Sequence, residues 1–339
     1  MDLKSKINQG VAAQLNITVR EASIAYAEAT KAAKNIPEYK LLAKKYRTPK
    51  GYEDYQNVAT ELARHCYFFR ECPEYLNEKE RFAETMGATL STFLAHRNAP
   101  VYWIASDLAT AMLKTDLPRH VTEMARVVEC GIFMLPIGIL KTPDGESVSH
   151  LCFHHMCDGD APPMVTSGKH TFIMKPVLNK IICFTTTRCG ITYAATTALE
   201  MNENGKLRTG DWNPSPSSIL TPNPKEVEEN FLQRLNRIVI QTLLYMQVKP
   251  ESVELGNMVG FASRTQRSAG GVGKQQSSHL LNPNWIGKEY RLPSLRSSPQ
   301  GTHSSPDTHW RRGFWRNQPV GEGRAERKWA WIQPTLVNG

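Results

Sequence analysis

The chain has 339 residues, of which 40% are hydrophobic and 22% charged, with a net charge of +9. That composition is ordinary for a soluble globular protein, and the length suits two domains. No apolar run reaches the roughly 18 residues of a membrane span, and seven cysteines, an odd number without a CxxC pair, fit reduced thiols. The N-terminus lacks a signal-peptide pattern, so a cytoplasmic protein is expected.

The first 130 residues read as a mostly helical region. From Ile7 to Tyr46, alanines at 22, 25, 29, 32 and 33 give high helix propensity, with breaks at Pro37 and Pro49. Tyr52 to Phe69 repeats Tyr55, Val58, Leu62 and Cys66 at helical spacing, and Glu80 to Leu94 does the same with Phe82, Met86, Leu90 and Phe93. Val101 to Leu113 and Pro118 to Cys130 are read as two further helices.

Residues 131–260 change character. Ile132 to Leu140, Val148 to Cys157, Thr171 to Met174, Ile181 to Thr187 and Ile191 to Ala198 are rich in β-branched and aromatic residues. They predict an antiparallel sheet of four or five strands, with a turn at Pro143-Asp144-Gly145. A Pro/Ser link then leads to a helix from Pro224 to Gln247, with its proline at the first position and Phe231, Leu235, Ile238, Val239, Thr242, Leu243 and Met246 as the buried stripe. It should pack on the sheet. The fold class expected is α+β: a helical N-terminal region, a central antiparallel sheet with a packed helix, and a C-terminal module.

That module, residues 261–339, holds 12 Lys and Arg against 4 Asp and Glu, and five of the seven tryptophans lie after residue 284. Its excess of positive charge points to an anionic partner, nucleic acid being the commonest, or to a basic surface kept for solubility. Two stretches, Ser263 to Ser278 and Ser294 to Pro306, read as linkers. Gly270-Gly271-Val272-Gly273-Lys274 lacks the spacing of a phosphate loop. Arg327 to Ile332 alternates like a terminal strand able to join the sheet edge, after a tight turn at Gly321-Glu322-Gly323.

The densest chemistry is His309-Trp310-Arg311-Arg312-Gly313-Phe314-Trp315-Arg316, followed by Arg324 and by Trp331. Tryptophan and arginine dominate binding hot spots, and guanidinium groups hold phosphate or carboxylate bidentately and stack on rings. Peptide or RNA binding is therefore placed on His309, Trp310, Arg311, Arg312, Trp315, Arg316, Arg324 and Trp331, although Trp315 and Trp331 also suit a core. His303 and His309 among arginines carry the residue types of a metal-independent ribonuclease. His150, Cys152, His154, His155 and Cys157 look metal-like, but a strand ending in a turn accounts for them better, because a closed zinc shell needs two short-spaced ligand pairs. No cofactor is expected.

The pattern His309, Arg311, Arg312, Gly313, Trp315, Gly321, Gly323, Trp331, Pro334, Val337 and Asn338 resembles the C-terminal signature of a family carried on phages, plasmids and other mobile elements. Its best understood members are the type V-A anti-CRISPR proteins, which lower the messenger RNA of the CRISPR effector nuclease. The resemblance implies a non-enzymatic protein that recognises a nascent N-terminal polypeptide, its messenger RNA, or both, on ribosomes and away from membranes. Where family members often carry His before the tryptophan, this chain has Phe314. A ribonuclease and a general nucleic-acid-binding protein stand as the alternatives.

Overall fold

The computed structural model describes residues 3–73, 82–118, 121, 124–157, 164–167, 170–173, 180–201, 207–209, 224–256, 282–292 and 309–337. Five helices come first: α1 (Leu3–Leu15), α2 (Val19–Ala33), α3 (Pro37–Leu42), α4 (Tyr55–Glu71) and α5 (Phe82–His96). Then follow β1 (Val101–Ile104), α6 (Ser106–Leu113), β2 (Thr115–Asp116), β3 (Cys130–Met134), β4 (His150–Met156), β5 (Met164–Ser167), β6 (His170–Ile173), β7 (Lys180–Thr186), β8 (Thr192–Met201) and β9 (Leu207–Thr209). The chain closes with α7 (Pro224–Val248), β10 (Val253–Glu254), β11 (Asn284–Ile286), β12 (His309–Arg311), β13 (Gly313–Val320), β14 (Glu326–Ile332) and β15 (Thr335–Val337).

Local signals fix several boundaries. Thr18 and Glu21 form a reciprocal capping box at the start of α2, which satisfies amides that the first turn leaves open. Asp54 accepts from the Gln56 amide and starts α4.

Among the described residues, eight strands form one sheet in the order β10-β11-β1-β3-β4-β7-β8-β9. Four of the expected antiparallel strands are there, β3, β4, β7 and β8, whereas the fifth, β6, pairs with β5 in a separate two-stranded ribbon. The sheet is nevertheless mixed, because β1 runs parallel to both β3 and β11. Strands from all three segments, 1–130, 131–260 and 261–339, therefore share it. The α+β class holds.

Two expected helices need correcting. Val101–Ile104 is a strand buried on both faces, so it shows no alternation, and only Ser106–Leu113 of that stretch is helical. Between Pro118 and Cys130 the described residues contain no α-helix; the chain there returns to the start of β3, which lies parallel to β1.

Side chains alternate across the sheet. Ile132, Met134, Cys152, Ile182 and Phe184 join Val58, Leu62, Leu90 and Leu94 of α4 and α5 in one core. Phe133, Leu151, Phe153, Ile181 and Cys183 join α6 and α7 in the other, which also takes in Trp315 and Trp329. The sheet is thus the middle layer, and the C-terminal strands lie against the α6–α7 side. Gly270–Lys274 and both Ser-rich linkers, with His303, lie outside the described residues.

A charged cluster is sealed where α4 and α5 meet β8. Arg64, 1% exposed, lies 3.0 Å from Glu61 and 3.5 Å from Glu84. Thr192 Oγ1 donates to Glu84 at 2.7 Å, and His65 approaches the same carboxylate at 3.4 Å. Burial alone would raise the Glu84 carboxyl, but His65, Arg64 and the Thr192 hydrogen bond override it and hold it at about 2. Burial, together with His65, lowers His150 to about 3. Both shifts act in one direction. The unfolded chain takes up protons at these groups before the folded chain does, Glu84 around its ordinary 4.5 and His150 around its ordinary 6.5, so stability is lost as the pH is lowered. The urea midpoint should decline steadily from pH 7 to pH 4, and a flat profile would contradict this assignment.

Candidate functional site in the C-terminal hairpin

The basic aromatic stretch folds as two ribbons. Strands β13 and β14 pair antiparallel from Phe314↔Ile332 to Val320↔Glu326, and β12 pairs with β15 through Trp310↔Leu336. The hairpin turns at Gly321 and Gly323, both at positive φ, as the tight-turn reading requires. The terminal strand β14 is present, but it pairs with β13 and not with the large sheet; β13 in turn runs parallel to β2.

Alternation sorts the predicted residues into two sets. Trp315, Trp329 and Trp331 point inward. Trp315 is 7% exposed, donates its indole N–H to Gln241 Oε1 of α7, and stacks on Trp331 with 6.0 Å between ring centroids. Gln241 Nε2 donates to the Thr115 carbonyl at 2.9 Å, and Trp331 Nε1 donates to Thr115 Oγ1 at 3.3 Å. One polar residue in the apolar stripe of α7 therefore ties helix, β2 and hairpin together. Gly313 is needed where β13 crosses β2: a Cβ there would lie 2.6 Å from Thr115 Oγ1, 2.8 Å from Pro334 Cδ and 2.9 Å from the Ile332 carbonyl oxygen. Gly313→Ala should free the hairpin from α7, read as a red shift of tryptophan emission with the helical circular dichroism unchanged. Unchanged emission would refute that role.

The arginines and their neighbours face outward. His309, Arg311, Arg312, Arg316 and Arg324 are exposed, and Trp310 is half-buried beneath Lys114, whose Nζ sits 4.7 Å from the ring centroid. Arg312 bonds Asp116 at 2.9 Å. Among the described residues, Arg311 and Arg316 have no carboxylate within ion-pair distance. Of the eight residues expected to bind, Trp315 and Trp331 also suit a core on sequence grounds. The structure puts Trp315 in the support, leaves Trp331 half-buried and leaves the guanidinium groups to solvent.

Beside the hairpin lies a groove of about 390 Å³ that sequence reasoning missed, lined by Tyr245, Lys249, Glu254, Lys288, Tyr290 and Trp331 among others. Trp331 meets Tyr245 edge-on at 5.3 Å and Tyr290 at 5.5 Å. Tyr290 Oη is buried without a hydrogen-bond partner among the described residues. Burial, with Tyr245 and Asp107 nearby, pushes this phenol up to about 12. Ion pairs Lys249–Glu251 at 3.5 Å and Lys288–Glu254 at 2.9 Å edge the groove. The three rings come from 245, 290 and 331, too far apart in sequence for any spacing to reveal them.

Other groups are accounted for elsewhere. His150 shares a hydrogen bond with Ser149, and His154 lies 4.4 Å from the Phe93 ring. Among the described residues no three His, Cys, Asp or Glu side chains are grouped to hold a metal ion. Among them, too, no helix is long and apolar enough to cross a membrane. The seven cysteines form no disulfide.

The sequence profile of the AcrVA2-like family, described as the anti-CRISPR type V subtype A2 family, matches residues 102–339. The chain belongs to the anti-CRISPR type V subtype A2 family. The match begins inside β1 and takes in the sheet, α6, α7 and the hairpin, so the groove and the outward arginines both lie within the AcrVA2-like part. Helices α1–α5 precede it. No curated protein and no solved structure matches the chain.

Proposed function

We propose that this AcrVA2-like protein is a non-enzymatic recognition protein, one that takes a nascent N-terminal peptide in the aromatic groove and thereby lowers the transcript encoding it. The observation that carries the reading is the Tyr245–Tyr290–Trp331 groove beside an open strand edge. Among the described residues, strand β14 is the outer member of the order β14-β13-β2, and its far side offers backbone donors and acceptors. An extended peptide laid along that edge gains main-chain hydrogen bonds, and its alternate side chains drop into the ring-lined groove. Such a peptide is available to a cytoplasmic protein as it leaves the ribosome, before it folds. The target of the family's anti-CRISPR members supplies the first candidate, a type V-A effector nuclease.

The exposed cations contribute affinity rather than selection. Arg311→Ala with Arg312→Ala should weaken capture of the target from translating cells about tenfold, on the order of one charge-assisted bond, while leaving the fold intact. Full capture by this double variant would remove the arginines from the site. His309 is exposed beside them; RNA cleavage by the purified protein, lost in His309→Ala, would replace the recognition reading with a ribonuclease.

A further inference from the structure

The hairpin has a second face, turned away from α7. Register places Phe314 opposite Ile332, Arg316 opposite Ala330 and Gln318 opposite Lys328 on that face, with Asp116 of β2 beside Phe314. Phe314 is 44% exposed and Ile332 40%, so a ring and a branched aliphatic chain lie side by side in water. Arg312 neutralises Asp116 at 2.9 Å. Arg316 and Lys328 are exposed, and among the described residues neither has a carboxylate within ion-pair distance.

We propose that this outward face binds single-stranded RNA, with a base stacked on Phe314 and the adjoining phosphates held by Arg316 and Lys328. An aromatic ring on a strand face flanked by cations is the arrangement that unpaired bases require, whereas bases inside a duplex present no free face to it. A protein partner fits less well: stable protein interfaces cover about 800 Å² on each side around an apolar centre, whereas the large apolar side chains exposed on this face are Phe314 and Ile332. The face is also net positive, with Arg316 and Lys328 against Glu326, which the register sets opposite Val320, and Arg312 offsetting Asp116, which suits a polynucleotide. The inference rests on the function proposed above only in naming the RNA as the transcript. It adds that one hairpin serves both ligands, the peptide along its β14 edge and the transcript on its outer face.

Fluorescence anisotropy of the full chain with labelled twelve-residue oligouridine, oligothymidine and a duplex of the same length tests it. Oligouridine should bind, and the duplex should bind more weakly. Phe314→Ala should weaken oligouridine binding about tenfold, in line with the loss of one stacked base, and Phe314→Trp should retain it. Arg316→Gln with Lys328→Gln should reduce the slope of log affinity against log salt by about 1.4, for two phosphates on a single strand. Unchanged binding in Phe314→Ala, equal binding of the duplex, or clear preference for oligothymidine would overturn the proposal. Peptide capture separates it from the preceding reading. Phe314→Ala keeps the groove and should still capture the peptide; a Trp331 variant that captures normally would sink the groove reading without touching the RNA face.

Discussion

Replacing Arg64 by alanine should destabilise the protein by about 3–5 kcal/mol, the cost of leaving a buried partner charge uncompensated. Glu61 and Glu84 both face this guanidinium, and Glu84 is 2% exposed. The variant also strips a cation from over the rings of Tyr26 and Phe68, 5.4 and 5.7 Å away. Domains are stable by only about 5–15 kcal/mol, so a loss of this size should appear as poor recovery of folded protein and a much lower urea midpoint. The sign of the cause can be checked within the same set. Arg64→Met combined with Glu84→Gln removes charges of both signs and should recover more than half of the lost stability. If the single and the double variant are equally unstable, packing and not charge pairing is responsible.

The second large effect concerns the groove. Trp331→Ala should reduce capture of the nascent peptide by at least about 2 kcal/mol, near thirtyfold, as expected for an aromatic hot spot at the centre of a binding surface. Trp331 touches both Tyr245 and Tyr290, so its loss opens the groove on two sides. Trp331→Phe keeps a ring against both tyrosines and should hold most of the affinity, although the N–H to Thr115 is lost. Near-ultraviolet circular dichroism distinguishes loss of capture from loss of the hairpin. A folded Trp331→Ala protein with undiminished capture would place the peptide elsewhere.

The elements with strong periodicity were legible in the sequence. Helix α7 starts at Pro224 and buries the stripe of Leu235, Ile238, Val239 and Leu243 that spacing predicts. Strands β4, β7 and β8 were equally plain from their β-branched runs. Strand β1 was not, because Val101–Ile104 is buried on both sides and shows no alternation, and its partner β11 comes nearly two hundred residues later, as Tyr102↔Asn284 shows. Long-range parallel pairing leaves no local trace.

The site was legible in part for a similar reason. Tryptophan and arginine enrichment located the hairpin, and alternation along β13 already separated Trp315 from Arg316 once the strand was known. Gly313 turned out to be a matter of contact, since only a hydrogen fits between β13, Thr115 and Pro334. The groove was invisible, because its rings are assembled by the fold from α7, from the turn after β11 and from β14. Likewise nothing local shows that Gln241, a polar residue in an apolar stripe, holds the Trp315 indole.

One measurement bears most directly on the central claim that the groove and the hairpin read a nascent chain together with its message. Tagged protein is recovered from cells translating a type V-A effector nuclease, and the attached RNA is sequenced while the attached peptides are identified by mass. The account predicts enrichment of one transcript together with the N-terminal peptide that it encodes; in Trp331→Ala the peptide and the preference for its transcript are lost, while unselected RNA still binds the outer face. Recovery of RNA without any encoded peptide, or of the same mixture from the Trp331→Ala variant, would contradict it.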